Sequence, residues 1–465
     1  MSNDPTPTVE PTTVGGLGRA LVVVALVVAV IGSLGAPLIT PVATGMHVSL
    51  DAAQWTLTVT LFTGAIAGPV LGRLGSGPHR RVTILVTLAL VALGGALTTA
   101  PLPFAVLLLG RGLQGLGLGV VALLMSVARD QLPADRSAST IATLSVASTV
   151  GIGVGYPLIG FLDEIAGLRA AYGLGFVLAL GALGIAWRAL PADAPRPQAR
   201  VDALGALLLG AGTLGVLLVI AEPAVWGDPW VGGVILAAVI AVLSVWVAVE
   251  LHMTAPLVNL RLLAQPAVLR ANTAMLVAGV GMYLLFSLLT RYVQTPVTAS
   301  YGFGLSGVLA GAVLIPFSAL GFVAGKLAPN GVKRFSERWV YTASAVSVMI
   351  AAVLFAAASD SLLAVLAAMA ILGFGVGGVS AIMPKLVLVD VPQPETASVL
   401  SINQIVRSIG FSIGSALAGL LLAAATPSDT LLPDEHGYVT AALWVLPLLA
   451  ITAVTILLAR RGSAR

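Results

Sequence analysis

The stretch RGLQGLGLGVVALLM occupies residues 111–125, and GFGVGGVSAIM, with the same glycine spacing, occupies residues 373–383. Glycines four residues apart on an apolar helix let a second helix approach closely. Four positions recur at an offset of 258 residues: Gly115 and Gly373, Gly117 and Gly375, Gly119 and Gly377, Met125 and Met383. The chain therefore contains an internal repeat of apolar, glycine-spaced helices.

The repeat extends to the flanking segments on both sides. A basic loop recurs at an offset of 253, and the glycines of the next helix recur at 259: Gly72, Arg73, Arg80 and Arg81 with Gly325, Lys326, Lys333 and Arg334; Gly151, Gly155 and Gly160 with Gly410, Gly414 and Gly419. Matched loops on one side of a membrane indicate parallel halves related by an axis along the membrane normal. The alternative is that glycine-rich helices look alike by chance.

The composition predicts an all-α polytopic membrane protein. Of 465 residues, 58% are hydrophobic and 9% are charged, whereas soluble domains have about 25% charged residues. Apolar runs of roughly 20 residues, the length of a membrane-spanning helix, recur throughout, and they are continuous rather than alternating as in a transmembrane barrel. Soluble enzymes and nucleic-acid binders are thereby excluded. With no Cys and only four dispersed His, we predict no metal site and no cofactor.

The apolar runs predict fourteen transmembrane helices. The repeat offset is about two helices too long for adjacent six-helix halves, so the plan is 6+2+6 with two inserted helices. We predict a disordered tail at 1–18, an N-terminal bundle at 19–190, a linker with the inserted helices at 191–255, and a C-terminal bundle at 256–465.

The distribution of basic residues predicts that both termini are cytoplasmic. Nineteen Lys and Arg then lie in the inner connections and two, Arg169 and Arg291, in the outer ones, as the positive-inside rule requires. This split holds only for an even number of spans. The abundance of Ala, Gly and Arg, with three Lys, indicates a bacterial source and hence the cytoplasmic membrane.

Three motifs carry a family resemblance. The segment Arg111-Gly112-Leu113-Gln114-Gly115 resembles an Arg-x-x-Gln-Gly motif. The loop with Gly72, Arg73, Arg80 and Arg81 is similar to a loop between spans two and three. The segment with Gly151, Gly155, Pro157 and Gly160 resembles an antiporter motif. Together they resemble the major facilitator superfamily, and within it the fourteen-span drug:proton antiporters. The resemblance implies alternating access, with the loop and the antiporter motif controlling the conformation.

The departures from the family pattern concern the gate and the proton site. The family's loop Asp falls on Ser76, and Tyr156 and Phe161 replace glycines of the antiporter motif. The first span carries no acid, and no Asp or Glu lies near the middle of any predicted span. We therefore expect a weaker gate, and we take Asp51, Glu222 and Arg111 as the candidates for proton coupling.

A lipophilic substrate needs an apolar site with a few polar and aromatic groups. The candidates are Trp55, Thr58, Gln114, Asn272, Tyr283, Ser287, Asn403, Gln404 and Arg407. The alternative for the uncharged polar members is hydrogen bonding between helices. For Arg407 the alternative is that it snorkels to the cytoplasmic face. For Arg111 the alternative is that it caps carbonyls, because an ionised side chain in a span needs such partners or a cavity.

These observations predict a monomeric secondary transporter, and not an enzyme, that exports lipophilic or cationic drugs or metabolites, with proton antiport implied by the resemblance. Its partners are a small molecule, protons and the lipid bilayer, and no nucleic acid. The alternatives are an uncoupled or narrow metabolite exporter and a membrane scaffold or sensor that transports nothing. A primary pump is excluded because no P-loop motif occurs.

Overall fold

The computed structural model describes residues 11–35, 38–48, 50–192, 202–221, 228–253, 260–299, 301–305, 307–426 and 433–458, with the single residues 225, 256 and 258. These residues form helices and connecting loops. The α-helices are α1 Pro11–Ser33, α2 Ile39–Met46, α3 Leu50–Ser76, α4 Arg80–Thr99, α5 Phe104–Gly115, α6 Gly117–Gln131, α7 Ala134–Ala189, α8 Ala203–Ala221, α9 Pro229–His252, α10 Leu260–Leu263, α11 Pro266–Gln294, α12 Gly307–Ala312, α13 Leu314–Arg334, α14 Glu337–Ala357, α15 Leu362–Val387, α16 Thr396–Ala424, α17 Glu435–Leu443 and α18 Val445–Leu458. The prediction of an all-α membrane protein is confirmed.

Twelve helices within the described residues are long and apolar enough to cross a membrane. Helix α7 counts as one of them, although it has 56 residues and is interrupted at Gly167, where φ is 80° and ψ is 172°. Helix α8, with 19 residues, is not among the twelve. Apolar side chains such as Leu207, Leu363 and Leu458 are largely exposed, as expected of a surface that faces lipid. The count of fourteen spans and the cytoplasmic orientation of both termini stay predictions.

The helices pack in the same pattern in the first and second parts of the chain. Helix α1 packs against α7 as α11 packs against α16, and α3 packs against α5 and α6 as α13 packs against α15. The two sets meet where α7 contacts α13 and α15, and where α16 contacts α3 and α6. Helices α8 and α9 pack against each other, and α8 lies against both α3 and α16. The predicted domain boundaries stay a prediction.

Close glycine contacts explain how the matched helices pack. A Cβ on Gly119 would lie 2.8 Å from the Ala67 carbonyl carbon, and one on Gly377 would lie 2.3 Å from the Gly321 carbonyl oxygen. These distances are shorter than van der Waals contact, so only glycine permits both approaches. The predicted packing role of the glycine rows is thus visible in both parts of the chain.

The glycines of α7 and α16 reveal a further match that the residue pattern did not. On α7, Gly151 lies closest to Ala29 of α1 and Gly155 to Ser33 of α1. On α16, Gly410 lies closest to Leu276 of α11 and Gly414 to Val280 of α11. The contacted residues are related by a single offset of 247 residues, although they share no residue type. Helix α11 therefore repeats α1 in its contacts.

Each half also carries an ion pair between two equivalent helices. Arg80 at the start of α4 contacts Asp130 at the end of α6 at 2.7 Å. Glu337 at the start of α14 contacts Lys385 near the end of α15 at 2.7 Å. The geometry is repeated, but the acid and the base have exchanged places.

Candidate functional site

Arg111, on α5 in the first half of the chain, is completely buried. Its guanidinium donates to the carbonyl oxygen of Thr56 at 3.3 Å, to that of Ile31 at 3.4 Å, and to Gln114 Oε1 at 2.7 Å. These partners lie on α3, α1 and α5, so one side chain ties three helices together. The Arg111 carbonyl oxygen also accepts from Thr60 Oγ1 at 3.1 Å.

Two polar atoms in this region have no hydrogen-bond partner among the described residues: Arg111 Nη2 and the Tyr172 hydroxyl. Tyr172 is fully buried and packs in the same apolar cluster as Ile31, whose carbonyl oxygen accepts from Arg111. Buried polar groups are normally satisfied by protein or by ordered water. The region therefore has hydrogen-bonding capacity for water or a polar ligand group.

A cavity of about 310 Å³ adjoins this network and is lined by Thr98, Gly167 and Arg169, among others. The Thr98 hydroxyl accepts from Gln114 Nε2 at 3.5 Å. A chain of polar groups thus runs from the cavity through Thr98 and Gln114 to Arg111.

Of the three proton-coupling candidates, Arg111 is the one whose side chain lies within the described residues. Glu222 lies outside the described residues, and Asp51 begins α3 with a side chain that also lies outside them. None of the ion pairs between described residues includes Arg111. The assignment of Asp51, Glu222 and Arg111 to proton coupling stays a prediction.

Several second-half candidates contact one another. Asn403 Nδ2 donates to Asn272 Oδ1 at 2.9 Å, and Asn272 Nδ2 donates to the Val268 carbonyl oxygen at 3.0 Å. Arg407 is buried and donates to the Ser145 carbonyl oxygen on α7 at 3.3 Å. The two amides thus join α11 to α16, and Arg407 reaches across to the first half.

Four aromatic residues of α11, α13 and α16 form a cluster, and a fifth, Tyr156 of α7, lies where the halves meet. Tyr283 stacks on Phe411 with ring centroids 5.0 Å apart and lies 5.2 Å from Phe286, which lies 5.2 Å from Phe317. Tyr156 on α7 lies where the first half meets α12, since a Cβ on Gly311 would lie 3.6 Å from the Tyr156 carbonyl carbon. We call these five residues the interface aromatics. The sequence singled out Tyr283 alone as a binding residue, and it treated Tyr156 only as a departure from a motif.

Phe411, one of the interface aromatics, lies at mid-helix and next to a cation. Phe411 is the sixteenth of the 29 residues of α16, and the Arg407 guanidinium lies 5.8 Å from the Phe411 ring centroid. A cation at this distance from an aromatic face is attracted by the ring quadrupole. Of the remaining candidates, Ser287 is buried and Gln404 is partly buried.

The first-half candidates Trp55 and Thr58 lie on α3. Trp55 is 47% exposed and Thr58 is half-buried with a partner. The described contacts do not bring either residue to Arg111 or to the interface aromatics. Their role in substrate binding stays a prediction.

The halves are joined by polar contacts at the end of the molecule that carries Arg73, Arg129 and Lys333, which we call the basic end. We call these contacts the basic-end seal: Arg73 to Glu395 at 3.7 Å, Arg129 to the Val391 carbonyl oxygen at 3.0 Å and to Thr396 Oγ1, Lys333 to Asp135 at 3.0 Å, and Ser401 Oγ to the Gly68 carbonyl oxygen at 2.9 Å. The seal holds the two halves together at this end.

The loop motif forms two kinds of contact within the seal region. Arg80 and Arg81 stay within the first half, where Arg80 Nε donates to the Gly75 carbonyl oxygen at 2.9 Å and Arg81 Nη2 donates to the Trp187 carbonyl oxygen at 2.8 Å. Arg73, in contrast, reaches Glu395 of the second half. Asp130 and Glu395 thus provide carboxylates for a loop that has Ser76 where the family has Asp.

The antiporter motif lies against α1 on one side and the second half on the other. Gly151 and Gly155 approach α1, while a Cβ on Gly311 would lie 3.3 Å from Pro157 and one on Gly160 would lie 3.8 Å from Val308. Gly72, in the loop motif, is buried. Gly151 and Gly155 of the motif therefore lie at close helix contacts.

Comparisons with known proteins agree with this architecture. The chain is 32% identical over 288 residues to the cephamycin export protein CmcT of Amycolatopsis lactamdurans, covering 58% of this chain and 56% of that protein. It is 27% identical over 390 residues to the putative multidrug resistance protein MdtD of Pectobacterium atrosepticum, covering 81% of this chain and 79% of that protein. An uncharacterised MFS-type transporter of Mycobacterium tuberculosis is 23% identical over 331 residues, covering 68% and 47%. The chain thus spans about half the length of the first and third of these relatives.

A solved structure of similar fold is the human organic anion transporter MFSD10 (TETRAN). It superposes with a TM-score of 0.69 at 13% identity and covers 96% of this chain and 100% of that chain. The family model described as Major Facilitator Superfamily matches residues 20–415 and 271–463. The repeated helix sets, the motifs at Arg111 and Gly72, and these matches agree, and the chain belongs to the major facilitator superfamily.

Proposed function

We propose that this chain exports lipophilic or cationic small molecules from the bacterial cytoplasm by alternating access, as a monomer coupled to proton antiport. The observation that carries the proposal is the group of interface aromatics beside Arg407, which includes Tyr156 of the first half, while Arg407 itself contacts Ser145 of the first half. A site built from two halves that move against each other is the arrangement that alternating access requires. The names of the cephamycin export and multidrug resistance relatives favour export.

We further propose fourteen spans with both termini in the cytoplasm. Division of α7 at Gly167 gives two helices from one, and α8 has 19 residues, about the length that a span needs. The division of α7 adds one helix to the twelve, and α8 adds another, which gives fourteen spans. This number is even, as the distribution of Lys and Arg requires. The basic end is then cytoplasmic, and the seal closes the molecule on that side.

The substrate class follows from the chemistry of the interface aromatics. Aromatic faces bind flat apolar rings by stacking and bind cations through the ring quadrupole. Arg407 beside Phe411 offers a positive charge to an anionic or carbonyl group. An amphiphilic aromatic compound therefore fits this site better than a sugar or an inorganic ion.

Proton coupling is the finer part of the proposal and is placed at Arg111. An arginine in a span changes the proton affinity of a nearby acid according to its distance. Asp51 and Glu222 remain the alternative proton sites.

The test is dye flux in proteoliposomes with an imposed pH gradient, with and without a protonophore. Tyr283→Ala and Phe411→Ala are compared with Trp339→Ala, an exposed aromatic on α14. We expect uphill flux that collapses with the gradient and falls in the first two variants only. Equal flux in all three variants would contradict the substrate site.

An uncoupled or narrow metabolite exporter is the second candidate, favoured by the lack of a described carboxylate paired with Arg111. It predicts downhill flux that is indifferent to the pH gradient. Binding without any flux across a broad panel of compounds would instead support a sensor or scaffold that transports nothing.

A further inference from the structure

The cavity beside Arg169 lies within the first half, at the end of the molecule opposite the basic end. Its volume is about 310 Å³, within the range of small-molecule sites. The end of α2, the connection between α4 and α5, and the break in α7 supply its lining, which includes Gly45, Met46, Thr98, Leu102, Leu168 and Arg169. Because Gly45 and Arg169 are exposed, the cavity opens to the solution.

The internal repeat identifies the equivalent place in the second half. The offset of 247 residues that relates α1 to α11 continues into α2, because Leu38 and Val42 are fully buried and so are Leu285 and Leu289. The same offset pairs Gly45 with Tyr292. Helix α4 packs against α7 as α14 packs against α17 and α18. The ends of α11 and α14 and the start of α17 are therefore the counterparts of the elements that line the cavity.

In the second half an aromatic side chain fills this place. Tyr292 is fully buried, and its ring centroid lies 5.1 Å from that of Phe355 and 5.3 Å from that of Tyr438. Its hydroxyl donates to Glu435 Oε1 at 2.9 Å. In the first half the paired residue is Gly45, which has no side chain, and the space is open.

The charge of the anchoring residue is reversed between the halves. Glu435, the first residue of α17, accepts from a phenol, whereas Arg169 lies two residues after the break at Gly167. None of the ion pairs between described residues includes Arg169. The acids Asp163 and Glu164 precede the break and are not among the described lining residues. A cationic anchor at the open place selects an anionic partner.

From this comparison we propose that the cavity binds a small aromatic acid. Its ring takes the place that the Tyr292 side chain fills in the second half, against the apolar side chains of Met46, Leu102 and Leu168. Its carboxylate pairs with Arg169, since a guanidinium matches the geometry of a carboxylate with two parallel hydrogen bonds. Binding at this place does not rest on the proposed function.

The location connects the cavity to the buried polar network of the first half. Thr98 lines the cavity, its hydroxyl accepts from Gln114 Nε2 at 3.5 Å, and Gln114 Oε1 accepts from Arg111 at 2.7 Å. A ring held there joins α2, the connection between α4 and α5, and α7, as Tyr292 joins α11, α14 and α17. A ligand that binds one conformation better than another shifts the population toward it. An effect of the acid on export rests on the proposed function.

The test is equilibrium dialysis of radiolabelled benzoate against the purified full-length protein in detergent, at constant ionic strength and with no flux involved. We expect saturable binding of one benzoate per chain. Unlabelled benzamide has nearly the same shape but no charge, so it should compete about tenfold more weakly than unlabelled benzoate. Equal competition by the two compounds would contradict the pairing with Arg169.

Two variants and two matched controls place the bound acid. Arg169→Gln removes the charge and should raise the dissociation constant about tenfold, and Gly45→Tyr puts the ring into the cavity and should abolish binding. Arg291→Gln removes an exposed arginine at the same end of the second half. Gly181→Tyr adds the same side chain on α7 where a Cβ meets nothing within 4 Å. Both controls should bind benzoate as the wild type does.

The proposal is overturned if the wild type binds no benzoate, or if Arg169→Gln and Gly45→Tyr bind it unchanged. If Gly45→Tyr does not fold, Arg169→Gln and the comparison with benzamide decide. Loss of binding in Tyr283→Ala would place the acid at the interface aromatics instead.

Competition also separates an aromatic acid from a lipid. Decanoate and phosphatidylglycerol carry a negative charge on apolar chains without a ring, and we expect neither to displace benzoate at equal concentration. Displacement by either would assign the cavity to a lipid and overturn the proposal. Benzoate binding without any measurable drug flux would retain the site and refute the exporter.

Discussion

Replacement of Arg129 by Gln should open the basic-end seal. Arg129 near the end of α6 donates to the Val391 carbonyl oxygen at 3.0 Å and to Thr396 Oγ1, both in the second half. Glutamine is shorter and uncharged, so it loses both bonds. The rest of the seal, including Arg73 with Glu395, is left in place.

The magnitude follows from the two bonds. Buried hydrogen bonds to charged groups contribute about 1.5–3 kcal/mol each, but Arg129 is only partly buried, so about 1 kcal/mol each is appropriate. A loss of about 2 kcal/mol raises the ratio of open to sealed molecules by roughly 30-fold.

The assay uses the absence of cysteine in the chain. Ala142→Cys introduces a single thiol at a position that is 4% exposed, in an apolar cluster with Val146, Ala328 and Ala381 of both halves. When the seal reforms faster than a maleimide reacts, the labelling rate follows the open population. The Arg129→Gln background should therefore label roughly 10- to 30-fold faster.

The matched control is Arg136→Gln. Arg136 lies exposed on the neighbouring turn of α7, and none of the described contacts joins it to the second half. The Arg136→Gln variant removes the same charge as Arg129→Gln but removes no described hydrogen bond across the seal. Labelling that is equally fast in both backgrounds, or no faster than in Ala142→Cys alone, would refute the assignment of the seal to Arg129.

Three further predictions follow from the same contacts. Arg111→Lys keeps the charge but cannot direct donors to three helices at once; we expect dye flux to fall at least tenfold with the protein still folded, and unchanged flux would reduce Arg111 to a packing role. Gly377→Ala, whose Cβ would lie 2.3 Å from a backbone oxygen, should lower stability by about 1–3 kcal/mol, whereas Gly419→Ala, with nothing within 4 Å, should not; thermal unfolding of the two variants decides. Burial, followed by neighbouring phenols and carboxylates, raises the pKa of Tyr301 to about 12. The contribution of Tyr301 to stability is therefore complete below pH about 10 and is lost as the pH rises toward 12. Tyr301→Phe should flatten the decrease in unfolding temperature over that pH range, and an unchanged profile would contradict this prediction.

The helix repeat could be predicted from sequence because glycine leaves a strict signature where backbones approach. Gly119 and Gly377 are matched in the sequence and in their contacts. The match of α1 with α11 could not be predicted, because Ala29 and Leu276 serve the same contact with different residues. Their equivalence lies in the backbone position, which is visible only when α7 and α16 are in place.

The candidate site was predicted in part. Arg111 with Gln114, and Asn272 with Asn403, were recognised as polar groups in apolar runs, and the structure brings each pair together. The interface aromatics were largely missed, because a Phe in an apolar run carries no signal of its own.

The burial of two acids, Asp202 and Glu250, was not predicted from the sequence, for a different reason. Asp202 has the sequence features of a helix cap, and Glu250 those of a charge at a span end. Forty-eight residues separate them, and only the packing of α8 on α9 makes them neighbours. The cue available in the sequence was Gly205, three residues into α8 and close to both acids, but a glycine in an apolar helix more often serves close helix packing.

The exchanged acid and base of the two ion pairs bear on how the chain assembles during synthesis. Because the halves are alike, α4 could dock against the end of α15 in place of α6. That error would set Arg80 against Lys385 and Asp130 against Glu337, and both encounters are repulsive. The correct docking sets Arg80 with Asp130 and Glu337 with Lys385, each at 2.7 Å. The opposite polarity therefore disfavours the exchange of helices between two bundles that pack in the same pattern.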